Sequence, residues 1–260
     1  MSPWALLLLA TGACLTLQAV AFAVARRLDN YSVVDPCWAL CLVLTAALYG
    51  HFGAAPFPRR VAVTGLVAVW GLRHAYLLLR HRVIGKPEEG RYVALRAKWT
   101  PAGFFVFFLA QGLLAVLLSA PFLLAVGDTG PVPRAVEVGA LALFTVGLVG
   151  EMVADAQLGA WRRDPAHRGR TCRAGLWSWS RHPNYFFELV IWAAFALGAT
   201  AAPGGALAWT APALLALLIV RVTGIPPTEA QALRSRGDDY RAYQREVSVL
   251  VPWPPRRRPT

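Results

Sequence analysis

Two pairs of polar residues stand four positions apart inside otherwise apolar runs: Glu151 with Asp155, and Asn184 with Glu188. A spacing of four places both members of a pair on one face of a helix. Arg162, Arg163, Arg181 and His182 lie within a few residues of them. Guanidinium groups bind phosphates through paired hydrogen bonds. Carboxylates and amides accept and donate to ribose hydroxyls or a carboxamide. Together these types suit a phosphorylated nucleotide cofactor. No glycine-rich loop follows a strand, which excludes a Rossmann domain. A purely structural ion network is the plain alternative.

The elements that carry these residues are read from composition. The chain has 260 residues, of which 57% are hydrophobic and 15% charged, and its mean hydropathy is +0.46. Soluble domains carry about a quarter charged residues, so a polytopic membrane protein is expected. Apolar runs long enough to span a hydrocarbon core, roughly 17–25 residues, recur near 3–25, 33–50, 61–79, 103–126, 135–157, 185–202 and 206–222. The expected fold is all-α, with seven transmembrane helices and with cytoplasmic loops and a C-terminal helix over the cofactor cavity. The first run has no basic residue before it, unlike a signal peptide.

Of the 26 basic residues, all but Arg59, Arg60, Arg73 and Arg134 fall in or beside the odd-numbered loops and in the C-terminal tail if seven spans are drawn. Positive charge marks the cytoplasmic side. The N-terminus is therefore expected outside and the C-terminus in the cytoplasm, in a bacterial inner membrane. This bias, with attraction to anionic lipid heads, accounts for the net charge of +12 without a nucleic acid. Cys14, Cys37, Cys41 and Cys172 form no disulfide framework, and no metal site is expected.

Further polar residues within or beside the spans need reasons, because a charge in the membrane costs on the order of 3 kcal/mol. Asp35 opens the second span, and Arg73, His74 and Tyr76 lie in the third. Arg221 ends the last, where it can serve a ligand or snorkel to the interface. The tail "TEAQALRSRGDDYRAYQREVSVLVPWPP" reads as a helix capped by Thr228 and stopped at Pro252.

The stretch "GLWSWSRHPNYFFE", with "GEMVADAQLGAWRRDPAHRGRTCRAGLW" before it and "VTGIPPTEAQALRSRGDDYRAYQREVSVLVPW" after it, resembles the steroid 5-alpha-reductase family, in its bacterial branch. "YSVVDPCWAL" and "WGLRHAYLLLRHRVIG" extend the likeness more loosely into the N-terminal half. The resemblance implies one membrane reductase domain, with residues 1–126 on the substrate side and 127–260 holding NADPH. It implies that Glu151, Asp155, Arg162, Arg181, His182, Asn184, Tyr185, Glu188, Arg221 and Tyr240 surround the cofactor. It further implies a carboxylic acid at the start of the second helix and a Tyr on the third, both hydrogen-bonded to a substrate ketone. Asp35 holds the acid's position, where a protonated carboxyl could donate. Trp70 stands at the Tyr position, which leaves Tyr76 or His74 as the donor. The implied substrate is a lipophilic enone such as a 3-oxo-4-ene steroid, met in the bilayer by a monomer. Its carbonyl would be polarised while its C=C bond is reduced.

Membrane methyltransferases of the isoprenylcysteine and phospholipid type share the Arg-His-Pro-x-Tyr core and use S-adenosylmethionine. They carry a small residue where Glu188 stands and a paired Glu-Glu after the last span, where this chain has a single Glu229. A transporter is a third reading, disfavoured by the apolar outer halves of the spans.

Overall fold

A computed structural model describes residues 1–255. Arg256, Arg257 and Arg258, counted above on the cytoplasmic side, lie outside the described residues. Six helical segments are long and apolar enough to cross a membrane: Pro3–Leu28, Tyr31–Phe52, Phe57–Arg82, Pro101–Gly127, Ala135–Arg163 and Gly205–Glu246. The run expected at 185–202 forms helix Pro183–Ala199, apolar but only 17 residues long. The described residues form an all-helical chain that divides into two compact units: Met1–Glu137 with Ala196–Ala211, and Val138–Phe195 with Pro212 onward.

The first unit is built on α1 (Pro3–Leu28), α2 (Val34–Phe52), α3 (Phe57–Arg82), the short α4 (Gly90–Arg96), α5 (Pro101–Leu118) and α6 (Ala120–Gly127). Ser2 caps α1, its hydroxyl accepting from the Ala5 N–H, and Pro3 fills the first position, where no N–H is needed. The buried stripe of α1 is Leu6, Ala10, Cys14, Gln18, Ala21 and Ala25. Mostly small side chains at every third or fourth position let neighbouring backbones come close. Such packing drives helix association where lipid offers no hydrophobic contrast. Gly112 of α5 sits against the Cys14 carbonyl, where an added Cβ would lie 3.2 Å away. The Cys14 and Cys41 thiols each donate to the other's backbone carbonyl across α1 and α2. Large apolar side chains such as Leu8, Val20, Val69 and Leu113 point outward, as a lipid-facing surface requires.

At one end of this unit Arg59 is buried. It donates to Glu137 Oε1 at 2.5 Å and to the carbonyls of Asp128, Gly130 and Pro131. Arg134 is bound to Asp128. The connection 128–134 is thus fastened by paired charges and satisfied carbonyls.

The second unit contains α7 (Ala135–Arg163), α8 (Pro183–Ala199), the short α9 (Thr210–Leu217) and α10 (Ile225–Glu246), whose ends reach the unit boundary in places. A π-helical turn, Leu218–Val222, follows α9. Helix α10 starts three residues before the expected cap. Gly224 is the N-cap, and Pro226 and Pro227 occupy the first turn, leaving Thr228 inside the helix. Prolines fit there because first-turn N–H groups have no intrahelical partner. Gly237 adopts φ +52° and kinks α10, a conformation that favours glycine.

Candidate functional site

The geometry of α7 and α8 starts from two glycines. The buried face of α7 runs Ala140, Phe144, Gly147, Glu151 and Ala154. A Cβ on Gly147 would lie 3.0 Å from the Ile191 amide nitrogen and 3.2 Å from the Phe187 carbonyl oxygen. One on Gly150 would overlap the Phe187 ring at 2.3 Å. The Phe144 and Phe195 rings meet at 5.5 Å. These contacts step forward along α7 as they step backward along α8, so the two helices are antiparallel neighbours in close approach. The same register carried further brings Glu151 level with Glu188, and Asp155 level with Asn184. Glu151 is 4% exposed and Glu188 8%, while Asp155 and Asn184 are half-buried. The two polar pairs read from the sequence therefore lie at matching heights on neighbouring helices.

The segment between α7 and α8 is tied to both α7 and α10. Trp177 Nε1 donates to the Ala154 carbonyl at 2.9 Å, and the Leu176 N–H donates to Gln157 Oε1 at 2.8 Å. Tyr243 of α10 donates to the Trp177 carbonyl. Arg173 pairs with Glu246 at 2.6 Å, and the Thr171 N–H donates to Asp239.

Glu229 is the centre of the next cluster. Arg181 Nε donates to its Oε1 at 2.7 Å, His182 Nε2 lies 3.3 Å from the same oxygen, and Gln244 donates to Oε2 at 2.7 Å. Helix α10 carries charged residues throughout, so the part of Gly205–Glu246 apolar enough for lipid ends near Val222 and Glu229 lies beyond it. Burial opposes ionisation of Glu229, but the bonds from His182 and Arg181 outweigh it and hold the carboxyl down at about 2. Arg181 also donates to the carbonyls of Gln244 and Val247. Expected at the rim to take phosphate, Arg181 is instead a clamp between the loop and α10. The His182 and Tyr185 rings stack at 5.3 Å, and the Tyr185 hydroxyl lies 3.4 Å from that of Thr228. Tyr240 is buried within reach of Glu229, under the Arg236 guanidinium at 5.2 Å.

The Arg162 guanidinium, at the end of α7, is exposed. It lies close enough to Arg236 for mutual repulsion and close enough to Asp155 for attraction. Arg236 was not singled out in the sequence, because its distance along the chain hides its neighbourhood with Arg162. Arg221 lies on the π-helical turn and is exposed.

The catalytic candidates lie in the first unit. Asp35 does not donate there. Arg82 Nη1 donates to its Oδ2 at 2.7 Å, Arg91 binds the same oxygen, and the Tyr92 hydroxyl donates to Oδ1 at 2.6 Å. Guanidinium groups can only donate, so Asp35 is a carboxylate acceptor and the expected protonated acid is corrected. Glu89 joins the cluster through Arg82 and Arg91. Tyr76 points away, 63% exposed on α3. The His74 ring stacks on that of Trp70 at 5.4 Å, with Trp38 at its edge. The phenol on Asp35 is Tyr92, from α4. Its buried hydroxyl and the adjacent carboxylate push its pKa well above the ordinary value, so it keeps its proton. The density of acids and arginines in "KPEEGRYVALR" was the signal for it.

The sequence profile of a family described as "Protein of unknown function (DUF1295)" matches residues 21–247. An uncharacterized protein of Schizosaccharomyces pombe is 30% identical over 254 residues, covering 86% of this chain and 73% of the relative.

Proposed function

The chain belongs to the DUF1295 family, and from that premise we propose that it is an NADPH-dependent membrane reductase of the steroid 5-alpha-reductase type. It acts on the C=C bond of a lipophilic enone, most simply a 3-oxo-4-ene steroid. In this reading the helix Pro183–Ala199 is a seventh span, the N-terminus faces outward and the C-terminus the cytoplasm of a bacterial inner membrane.

The observation that carries the reading is the register of α7 and α8, which sets Glu151 level with Glu188 and Asp155 level with Asn184. Carboxylates accept from sugar hydroxyls, and an amide both accepts and donates. Arg162 and Arg236, cations that repel one another electrostatically, are of the type that binds phosphate. The donor set thus fits a dinucleotide in kind. Glu151, Glu188, Asp155 and Asn184 would hold its sugar and carboxamide parts, and Arg162 and Arg236 its phosphates. Arg181 would act through its grip on Glu229 and α10. When bound, NADPH supplies a hydrogen and two electrons to the double bond.

The protein's own part is to polarise the carbonyl. The arginines of the Asp35 cluster cannot serve as acids at neutral pH. The Tyr92 hydroxyl commits its one proton to Asp35 Oδ1, and Arg82 and Arg91 hold that carboxylate. Of the candidates, Asp35 is an acceptor and Tyr76 points away, which leaves His74, stacked on Trp70, as the proposed hydrogen-bond donor.

The test uses the purified full chain in lipid nanodiscs. It should oxidise NADPH in the presence of a 3-oxo-4-ene steroid and yield the saturated ketone. Glu188→Gln should weaken NADPH binding by roughly 10- to 100-fold, the value of one hydrogen bond to a charged group, with wild-type elution and melting. Consumption of S-adenosylmethionine without NADPH oxidation would replace this reading with the methyltransferase one.

A further inference from the structure

After α10 ends at Glu246, the chain lies along the loop that precedes α8. The Arg181 N–H donates to the Ser248 carbonyl at 2.9 Å, the Ser180 hydroxyl to the Leu250 carbonyl at 2.7 Å, and the Trp253 N–H to the Trp179 carbonyl at 3.0 Å. Ser180 and Ser248 form a parallel bridge. The backbone of 248–253 is therefore fixed, yet its large apolar side chains are not covered. Trp179 is 48% exposed and Trp253 69%, and Val249 and Val251 are exposed beside them. An apolar patch of this kind, held on an ordered backbone, marks a contact surface.

The depth of the patch follows from α7. The loop is bonded to that helix at Ala154 and Gln157. About 20 residues of helix cross a hydrocarbon core of about 30 Å, and counted from Ala135 that ends at about residue 154. The two indoles thus stand where hydrocarbon gives way to headgroups, the level at which Trp is enriched. Charge points the same way. Residues 247–260 contain no acid, and Arg256, Arg257 and Arg258 follow Trp253 after two prolines. Exposed Arg245 closes the last turn of α10. Basic clusters beside a membrane are drawn to anionic lipid.

We propose that residues 248–255 with Trp179 form an interfacial anchor, docked on an anionic bilayer surface, that fastens the α10 lobe to the membrane. The proposal rests on the membrane reading of the apolar helices and not on the reductase chemistry.

The test places an environment-sensitive fluorophore through Trp253→Cys, and separately through Val251→Cys. The native cysteines are buried or half-buried, and labelled wild type supplies the blank. The protein is reconstituted in phosphatidylglycerol-containing vesicles and in pure phosphatidylcholine. Anchoring predicts blue-shifted emission, quenching by shallow nitroxide lipids and protection from iodide. The shift should be larger in the anionic vesicles and reduced there by Arg256→Gln/Arg257→Gln/Arg258→Gln. Water-like emission with full iodide access in both vesicles overturns it. So does self-quenching that falls on dilution with unlabelled protein, which would mean that a second copy covers the patch. If one variant fails to fold, the other position carries the test.

Discussion

Tyr92 and Asp35 show what a single residue's position along the chain conceals. Asp35 was legible as an acid at the mouth of a span, because a carboxylate there is costly. Its partners were not, since Arg82, Arg91 and Tyr92 lie 47 to 57 positions away and only tertiary folding joins them. Tyr92→Phe should lower the melting temperature, because it removes the hydroxyl that donates to the Asp35 carboxylate, a loss of about 1–3 kcal/mol. Tyr76→Phe, on an exposed face, should leave it near wild type; thermal melts of the two variants read the difference. Glu229 offers a second test at this scale. Its carboxyl is held at about 2 against an ordinary 4.5. Ionisation therefore stabilises the fold fully above the unfolded-state value, and that stabilisation is lost as pH falls from about 4.5 through about 2. The melting temperature of Glu229→Gln should lie below wild type at pH 7, and the gap should close across that acidic window.

Among the elements, the apolar periodicity and turn residues revealed six helices near the expected positions, together with the polar pairs on α7 and α8. The register between those helices was hidden, because it depends on Gly147 and Gly150 meeting particular side chains of α8. Gly147→Leu should force the helices apart and cost about 1–3 kcal/mol, the usual penalty for overpacking. Because the displacement separates Glu151 from Glu188, the same variant should lose nucleotide affinity while still inserting. Thermal melts and NADPH titration read the two effects separately. The cap of α10 lies four residues before the expected one for a related reason. Thr228 looks like a cap, but Gly224 followed by two prolines in the first turn begins the helix sooner.

Across the whole molecule, composition and charge placement revealed a multi-pass helical membrane protein, because lipid permits few alternatives. The structure adds that the Arg59 and Arg134 charges, assigned to the outer side, are matched by Asp128 and Glu137. The division into two compact units had no sequence signature, since both use the same apolar vocabulary. Among these segments, α8 has a particular consequence. Seventeen residues reach about 26 Å, short of a hydrocarbon thickness of about 30 Å. If α8 spans, it must pull the two leaflets together locally, at a fraction of a kcal/mol for each ångström. Turnover and melting temperature should then follow acyl-chain length, highest in short-chain phosphatidylcholine and falling as the chains lengthen. Lipid composition would thereby set how firmly Asn184 and Glu188 are held at their working depth.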